Sequence, residues 1–456
     1  MAFRLWKDPR LSAEPETIAA PHQRGVIRRH IRILAPFTAL LLGFMALLLI
    51  RAPMPLERQR ELCVINIQVA PNVRLLLNCD SAEFMRLGYA PSGLMEVGNA
   101  RQSRPLFVAG AYALSWVFKP VAALLQPLVP TDGGPNPRGA GKVEFGLQNM
   151  LATYLAYLTI NVACVLASWL VLVRLTAPGS VRAAGFAVIC AGTILFANDV
   201  SKAFLWSPHT QMLNILVPMV ACIIIARPPA MRMGLAIAAV AGVAMLIYAN
   251  AMILFGALLI ALFKRPAKTP IHNIGMVVAY ALLFAVPTLG WGALVRLLVG
   301  SYYVIEAQKY DEFVWVLNAA MAGPATFVTA VWTMSWFFIR HALLYTIPPL
   351  IFVLFAAAHA ARHGRAAFDK WWAGLRPLLA APLLASGLSL GFFIFVGFQS
   401  PRLAYPAIPP LVALAAIALV QAKRVGGGWT GADRIILAAL AIANAGYIVV
   451  KDGPWS

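Results

Sequence analysis

Apolar runs recur along this chain at a length that a membrane explains best. ILAPFTALLLGFMALLLI (33–50), NMLATYLAYLTINVACVLASWLVLV (149–173), MLNILVPMVACIIIA (212–226) and GADRIILAALAIANAGYIVV (431–450) stand at both ends and in the middle. A bilayer core roughly 30 Å thick takes about 20 apolar residues of helix. Hydrophobic residues make up 61% of the 456, and the mean hydropathy is +0.77. No soluble domain fits between the runs. The fold class is therefore an all-α membrane protein, a polytopic bundle of transmembrane helices.

The remaining residues are strongly basic: 37 Lys and Arg against 17 Asp and Glu, a formal net charge of +20. A nucleic-acid binder would carry an aromatic-basic module, and none is visible. Positive-inside placement and attraction to anionic lipid account for the excess instead. Residues 1–32 hold Arg4, Lys7, Arg10, Arg24, Arg28, Arg29 and Arg32 and lack a small-residue cleavage site near the front. They read as a retained cytoplasmic basic tail, with 33–456 a single transmembrane domain.

With the N-terminus inside, the charges order the spans. The first is 33–50, and a long outer loop follows over 51–148. Further spans fall at about 149–173, 183–197, 210–226, 233–249, 250–263, 274–297, 337–358, 377–397, 403–421 and 434–450. The inner loops then hold Arg174 and Arg182; Arg227 and Arg232; Lys264, Arg265 and Lys268; Arg362, Arg365, Lys370 and Arg376; and Lys423, Arg424 and Arg434. The run at 105–129 is long enough to span, but a crossing there would turn every later basic loop outward, so it lies on the outer surface or dips in and returns. Lys119-Pro120 in its middle also opposes a crossing, since Pro breaks helices and Lys is costly at mid-bilayer. The same logic makes 314–335 an outer interfacial helix. The charge walk predicts about eleven spans, with interfacial helices in the first and a later outer loop.

The acids are distributed unevenly in this topology. Asp8, Glu14, Glu16, Asp369 and Asp433 fall inside, and the rest fall outside or at outer span ends, Asp132, Glu144 and Asp452 among them. None sits mid-span, which counts against an ion-coupled transporter. In LLLNCDSAEFMRLG (75–88), Asp80 and Glu83 have the spacing of a capping box, with Asp80 as N-cap. Asp80 can also serve as a general base that takes the proton of an attacking hydroxyl. Arg101 and Arg104 follow in NARQSRPLF and suit phosphate oxygens. The second outer loop, FANDVSKAFLWSPHTQMLN, adds Asp199, Lys202 and His209. The segment SYYVIEAQKYDEFVW (301–315) suits a membrane interface through Tyr302, Tyr303, Tyr310 and Trp315. SPRLAYPAIPPLVALAA places Arg402 and Tyr405 at a span mouth. Asp80, Asp199 and His209 are ligand-type side chains, so a divalent metal stays open, but no spacing has the specificity of a metal motif.

A first outer loop carrying CDSAEFMRLG, then a basic, proline-led helix RQSRPLFVAGAYALSWVF, a second acidic loop, and a late Arg–Tyr–Pro–Pro segment together resemble the GT-C superfamily of integral-membrane glycosyltransferases. The likeness is greatest to the protein O-mannosyltransferase and aminoarabinose-transferase branch. The resemblance implies a polyprenyl-phosphate-linked sugar donor, inversion at the anomeric carbon, and a lipid, glycan or protein acceptor at the outer face. It implies that Asp80 is the catalytic acid of the first loop, Asp199 the second acidic position and Arg402 the residue facing the donor phosphate. The chain departs from the pattern in two ways: the second acid of the first loop stands three residues on, and no large soluble C-terminal domain is expected. The alternative reading is a flippase or exporter that holds a lipid-linked glycan precursor without chemistry.

Cys63 and Cys79 share the first outer loop, and a disulfide between them would stabilise the fold by roughly 3 kcal/mol. Cys164, Cys190 and Cys222 fall in spans. The chain has no N-x-S/T sequon, which leans towards a bacterial inner membrane.

Overall fold

The computed structural model describes residues 21–50, 54–129, 147–176, 185–265 and 270–451. Arg4, Lys7, Arg10, Asp8, Glu14, Glu16, Asp132, Glu144, Arg182, Lys268 and Asp452 lie outside the described residues. In chain order the first half comprises α1 (Pro21–Leu49), α2 (Leu56–Leu62), β1 (Val64–Ala70), β2 (Val73–Asn78), α3 (Cys79–Tyr89), α4 (Pro105–Leu125), α5 (Leu151–Thr176), α6 (Gly185–Gly192), α7 (Asp199–Phe204) and α8 (Leu213–Ala226). The second half comprises α9 (Met231–Met245), α10 (Met252–Phe263), α11 (Pro270–Val299), α12 (Ile305–Tyr310), α13 (Val314–Met321), α14 (Pro324–Arg362), α15 (Arg365–Leu375), α16 (Ala380–Val396), α17 (Ile408–Val425) and α18 (Gly431–Val450).

Among the described residues, six helical stretches are long and apolar enough to cross a membrane: 105–128, 151–176, 271–299, 324–362, 401–425 and 431–450. A seventh is the pair 365–378 and 380–396, bent by 48° between its halves. The chain is a multi-pass helical membrane protein, but the count of eleven is not reached by length and composition. Five of the expected spans fall on shorter apolar helices, 34–49, 185–195, 210–226, 231–245 and 249–263. Hydropathy reports how apolar a stretch is, not where its helix stops, and a 15-residue helix rises only about 22 Å.

Interfacial helices were expected at 105–129 and 314–335. α4 runs unbroken through Pro120 and, by length and composition, is long and apolar enough to cross a membrane. The Lys119 ammonium lies over the Trp116 ring, 3.1 Å from its centroid. The stretch 314–335 is not one helix. α13 ends before Gly323, whose φ of +112° only glycine adopts easily, and α14 then continues for 39 residues.

α17 is buried along nearly all its length, whereas α11 and α14 keep broad apolar faces outward. α14 packs along α17, and α16 and α8 close around it. The same core continues to α1 and α5, where Phe37 stacks on Trp169 with ring centroids 4.4 Å apart. The basic loops gather at one end of the bundle: Arg227 donates to the Arg174 carbonyl and Arg265 to the Pro228 carbonyl, each at 3.1 Å.

The opposite end carries an antiparallel hairpin that no sequence reading placed. β1 and β2 pair with Val64 opposite Asn78, turning at Asn72 with φ +60°. The next pair along that ladder is Cys63 and Cys79. They are joined by a disulfide, Cα–Cα 5.3 Å, and the Cys79 N–H donates to the Cys63 carbonyl at 3.0 Å. The clamp therefore sits at the first residue of α3. At the other end of α3, Gly88 meets α5 so closely that a Cβ would come 2.7 Å from Thr153 Cγ2.

Candidate functional site

β2 ends on Asn78 in extended conformation, and Asn78 caps α3 by accepting the Asp80 N–H at 2.9 Å. This corrects the expected capping box. Asn78 is the last residue outside the helix, so Asp80 lies inside the first turn and its carboxylate is not used as the cap. Glu83 does not fold back to the cap either. Both acids turn to Arg101, with Nη2 2.8 Å from Asp80 Oδ1 and Nε 2.9 Å from Glu83 Oε2. The guanidinium also lies over the Phe84 ring at 4.7 Å. The Arg101 backbone is held by Asn99, whose Oδ1 accepts its N–H. Arg101 thus fixes the two carboxylates, which differs from the expected role as a phosphate ligand.

His209 brings Nε2 to 3.6 Å from Asp80 Oδ2. Its ring is wedged between Phe84 and Phe204, with centroids 5.6 and 4.7 Å away. Burial pulls its pKa down to about 4, and the nearby Asp80 carboxylate only partly opposes this. At neutral pH the imidazole is uncharged. Arg104, just before α4, donates to Thr210 Oγ1 at 3.1 Å and lies 5.1 Å from the Tyr248 ring. Arg402 opens the turn leading into α17 and sits 5.0 Å over the Phe204 ring.

These groups face one cavity of 620 Å³. Asp80, Glu83, Arg101, Arg104, His209 and Arg402 all line it. The far wall includes Tyr303, Lys309, Tyr310 and Glu312, from the segment expected to lie at a membrane interface. Gln102 ties that wall in place by accepting the Tyr303 N–H at 2.9 Å. Trp315 completes the anchoring, donating to the Phe395 carbonyl at 3.0 Å. An apolar side is formed by Phe392, Phe393, Val396 and Leu403.

Three of the expected site residues are not part of this cavity. Asp199 pairs with Lys451 at 2.8 Å, and Lys202 donates to the Lys451 carbonyl. Both serve to dock α7 against the end of α18, where Asn444 also donates to the Ala197 carbonyl. Tyr405 is buried and donates to the Ile194 carbonyl at 2.8 Å. The set Asp80, Asp199 and His209 is therefore not assembled, and among the described residues no group of three His, Cys, Asp or Glu is placed to hold a metal ion. Sequence reasoning missed Gln211, Tyr248 and Asn250, which also line the cavity. Their polar side chains at the ends of apolar runs were the available signal.

No family model, curated protein or solved structure matches the chain.

Proposed function

We propose that the protein is a membrane glycosyltransferase of the GT-C type, moving a sugar from a polyprenyl-phosphate donor to a hydroxyl acceptor. The observation that carries this reading is the placement of Asp80. Its side chain keeps 23% exposure on a cavity that Arg104 and Arg402 also face. A carboxylate held by Arg101, a helix cap and a disulfide is positioned for base work, and fixed geometry is what such catalysis needs.

In the proposed reaction the acceptor hydroxyl gives its proton to Asp80 as its oxygen attacks the anomeric carbon. The bond from that carbon to the phosphate oxygen breaks, with inversion, and the polyprenyl phosphate leaves with the electron pair. Arg104 and Arg402 meet the charge that develops on the phosphate. Neutral His209 packs against Asp80 and keeps it turned to the cavity. Phe392, Phe393 and Val396 offer the lipid tail an apolar approach.

In this reading the basic loops face the cytoplasm and the cavity faces the outer side of a bacterial inner membrane. If the bent pair and the five shorter apolar helices also cross, and 105–128 stays on the outer side, the crossings number eleven. Two contacts support keeping α4 there. Phe107 near its start packs on Tyr157, with centroids 4.9 Å apart, and the Gln126 carbonyl after its end accepts from Gln148 at 3.1 Å. Tyr157 lies in the first two turns of α5, and Gln148 lies in the turn just before it.

The test is transfer from a panel of polyprenyl-phosphate hexoses, pentoses and aminopentoses by membranes holding wild type or Asp80→Asn. Transfer by the wild type and a drop of about 100-fold or more in the variant is the expected result. Full activity of Asp80→Asn would remove the base role. Movement of lipid-linked sugar across the membrane without transfer would favour the exporter.

A further inference from the structure

Beside Arg104, which lies 5.1 Å from the Tyr248 ring, one cavity wall is polar but uncharged. Asn250 Nδ2 donates to Asn214 Oδ1 at 2.8 Å, and Asn214 Nδ2 donates to Gln211 Oε1. Gln211 Nε2 in turn reaches the Tyr248 hydroxyl at 3.4 Å. All four side chains are buried, Asn214 completely. Because Asn214 both accepts from one neighbour and donates to the next, the ladder fixes which way each amide points. Its first member, Asn250, is 1% exposed and keeps Oδ1 without a hydrogen-bond partner. Asn250, Gln211 and Tyr248 line the cavity, and Asn214 stands behind them.

The ladder is costly where it stands. Buried amides are retained when their bonds are made, and a buried acceptor left unpaired costs about 1–3 kcal/mol. The turn 249–251 that carries Asn250 separates two apolar helices, α9 and α10, and packing alone would fill that place with apolar residues. A ligand hydroxyl would satisfy the acceptor. Neutral amides in fixed orientation match groups that both donate and accept, as sugar hydroxyls do, and they add no charge for a phosphate to choose.

We infer that Asn250, backed by Asn214 and Gln211, forms the subsite that binds the hydroxyls of the donor's sugar, while Arg104 and Arg402 bind its phosphate. This rests on the donor reading above. It divides the cavity into a charged wall that any polyprenyl phosphate would satisfy and an amide wall that reads what the phosphate carries.

The experiment measures affinity of the full-length protein in nanodiscs for two kinds of probe. One is a short-chain polyprenyl phosphate, and the other is the same lipid bearing a hexose, a pentose or an aminopentose. The wild type should prefer at least one sugar-bearing lipid over the bare phosphate by about tenfold or more. Asn250→Leu should lose that preference while its affinity for the bare phosphate stays within about threefold. If Asn250→Leu no longer binds the bare lipid, its fold has failed and Gln211→Ala decides. A preference that survives in the folded variant overturns the inference. So does a wild type that binds the bare phosphate as well as every sugar-bearing lipid, an outcome that leaves the phosphate reading standing. A wild type that binds none of the probes rejects the donor reading and the subsite together.

Discussion

Asp80 and Asp433 keep the same company at opposite ends of the bundle. Asp80 has Arg101 at 2.8 Å and His209 at 3.6 Å; Asp433 has Arg362 at 2.7 Å and His359 at 3.3 Å. The difference lies in what else each carboxylate does. Asp433 is the third residue of a capping box: its Oδ2 accepts from the Thr430 N–H and hydroxyl, at 3.1 and 2.9 Å, and its side chain is 1% exposed. Asp80 leaves capping to Asn78 and keeps its carboxylate on a cavity wall. An Asp–Arg–His set is thus a structural lock in one place and faces a cavity in the other. The residue types do not distinguish them, but the division of labour with the cap does.

The strongest way to break this comparison is to neutralise each aspartate. Asp80→Asn should cost about 100-fold or more in transfer per folded molecule, with Glu83 left to hold the buried Arg101. Asp433→Asn should lose about 1.5–3 kcal/mol of stability, since it weakens the hydrogen bonds from Thr430 and from the half-exposed Arg362, and keep its turnover per folded molecule. Thermal unfolding in detergent beside a transfer assay reads both, and a turnover loss in Asp433→Asn would erase the distinction.

A second comparison concerns the supports. Cys63→Ser or Cys79→Ser should destabilise by about 3 kcal/mol, and a reductant should do the same to the wild type but nothing to either variant. A third uses acid. Unfolded histidine takes its proton near pH 6.5, whereas folded His209 resists it until about 4. Its contribution is complete above about pH 6.5 and declines as pH falls towards 4, by up to about 3 kcal/mol. The pH dependence of unfolding should be flatter in His209→Phe over that window. The smallest effect belongs to Thr430→Ala, about 1 kcal/mol from the lost cap, seen as a lower melting temperature with transfer intact.

Much of this was readable residue by residue. Asp80, Arg104, His209 and Arg402 stood out because charged or titratable groups are scarce in an apolar chain, and they meet in space from three separate segments. The failures share a physical cause. Asn78 and Asp80 are equally good caps in isolation, and only the end of β2 decides between them. The hairpin itself, VINIQVA and VRLLLN, has too little polar alternation to stand out against so apolar a background. Asp199 and Tyr405 sit near span ends as Arg402 does, but which side of a helix faces the cavity depends on packing against the end of α18 and the turn after α6. Asn250 was hidden because a single amide barely lowers the hydropathy of its run.

α14 extends about 58 Å at 1.5 Å per residue, roughly twice the thickness of a bilayer's hydrocarbon. Arg362, beside Asp433, and Met334, which accepts from Gln399 next to the cavity's 396–403 wall, stand about 42 Å apart along this helix. When a membrane thickens or thins, such a rod must tilt or expose a different length, and both ends are displaced together. Acyl-chain length is then an experimental variable on a par with pH for this protein. Vesicles of graded thickness should shift the behaviour of the cavity without any change to the residues that line it.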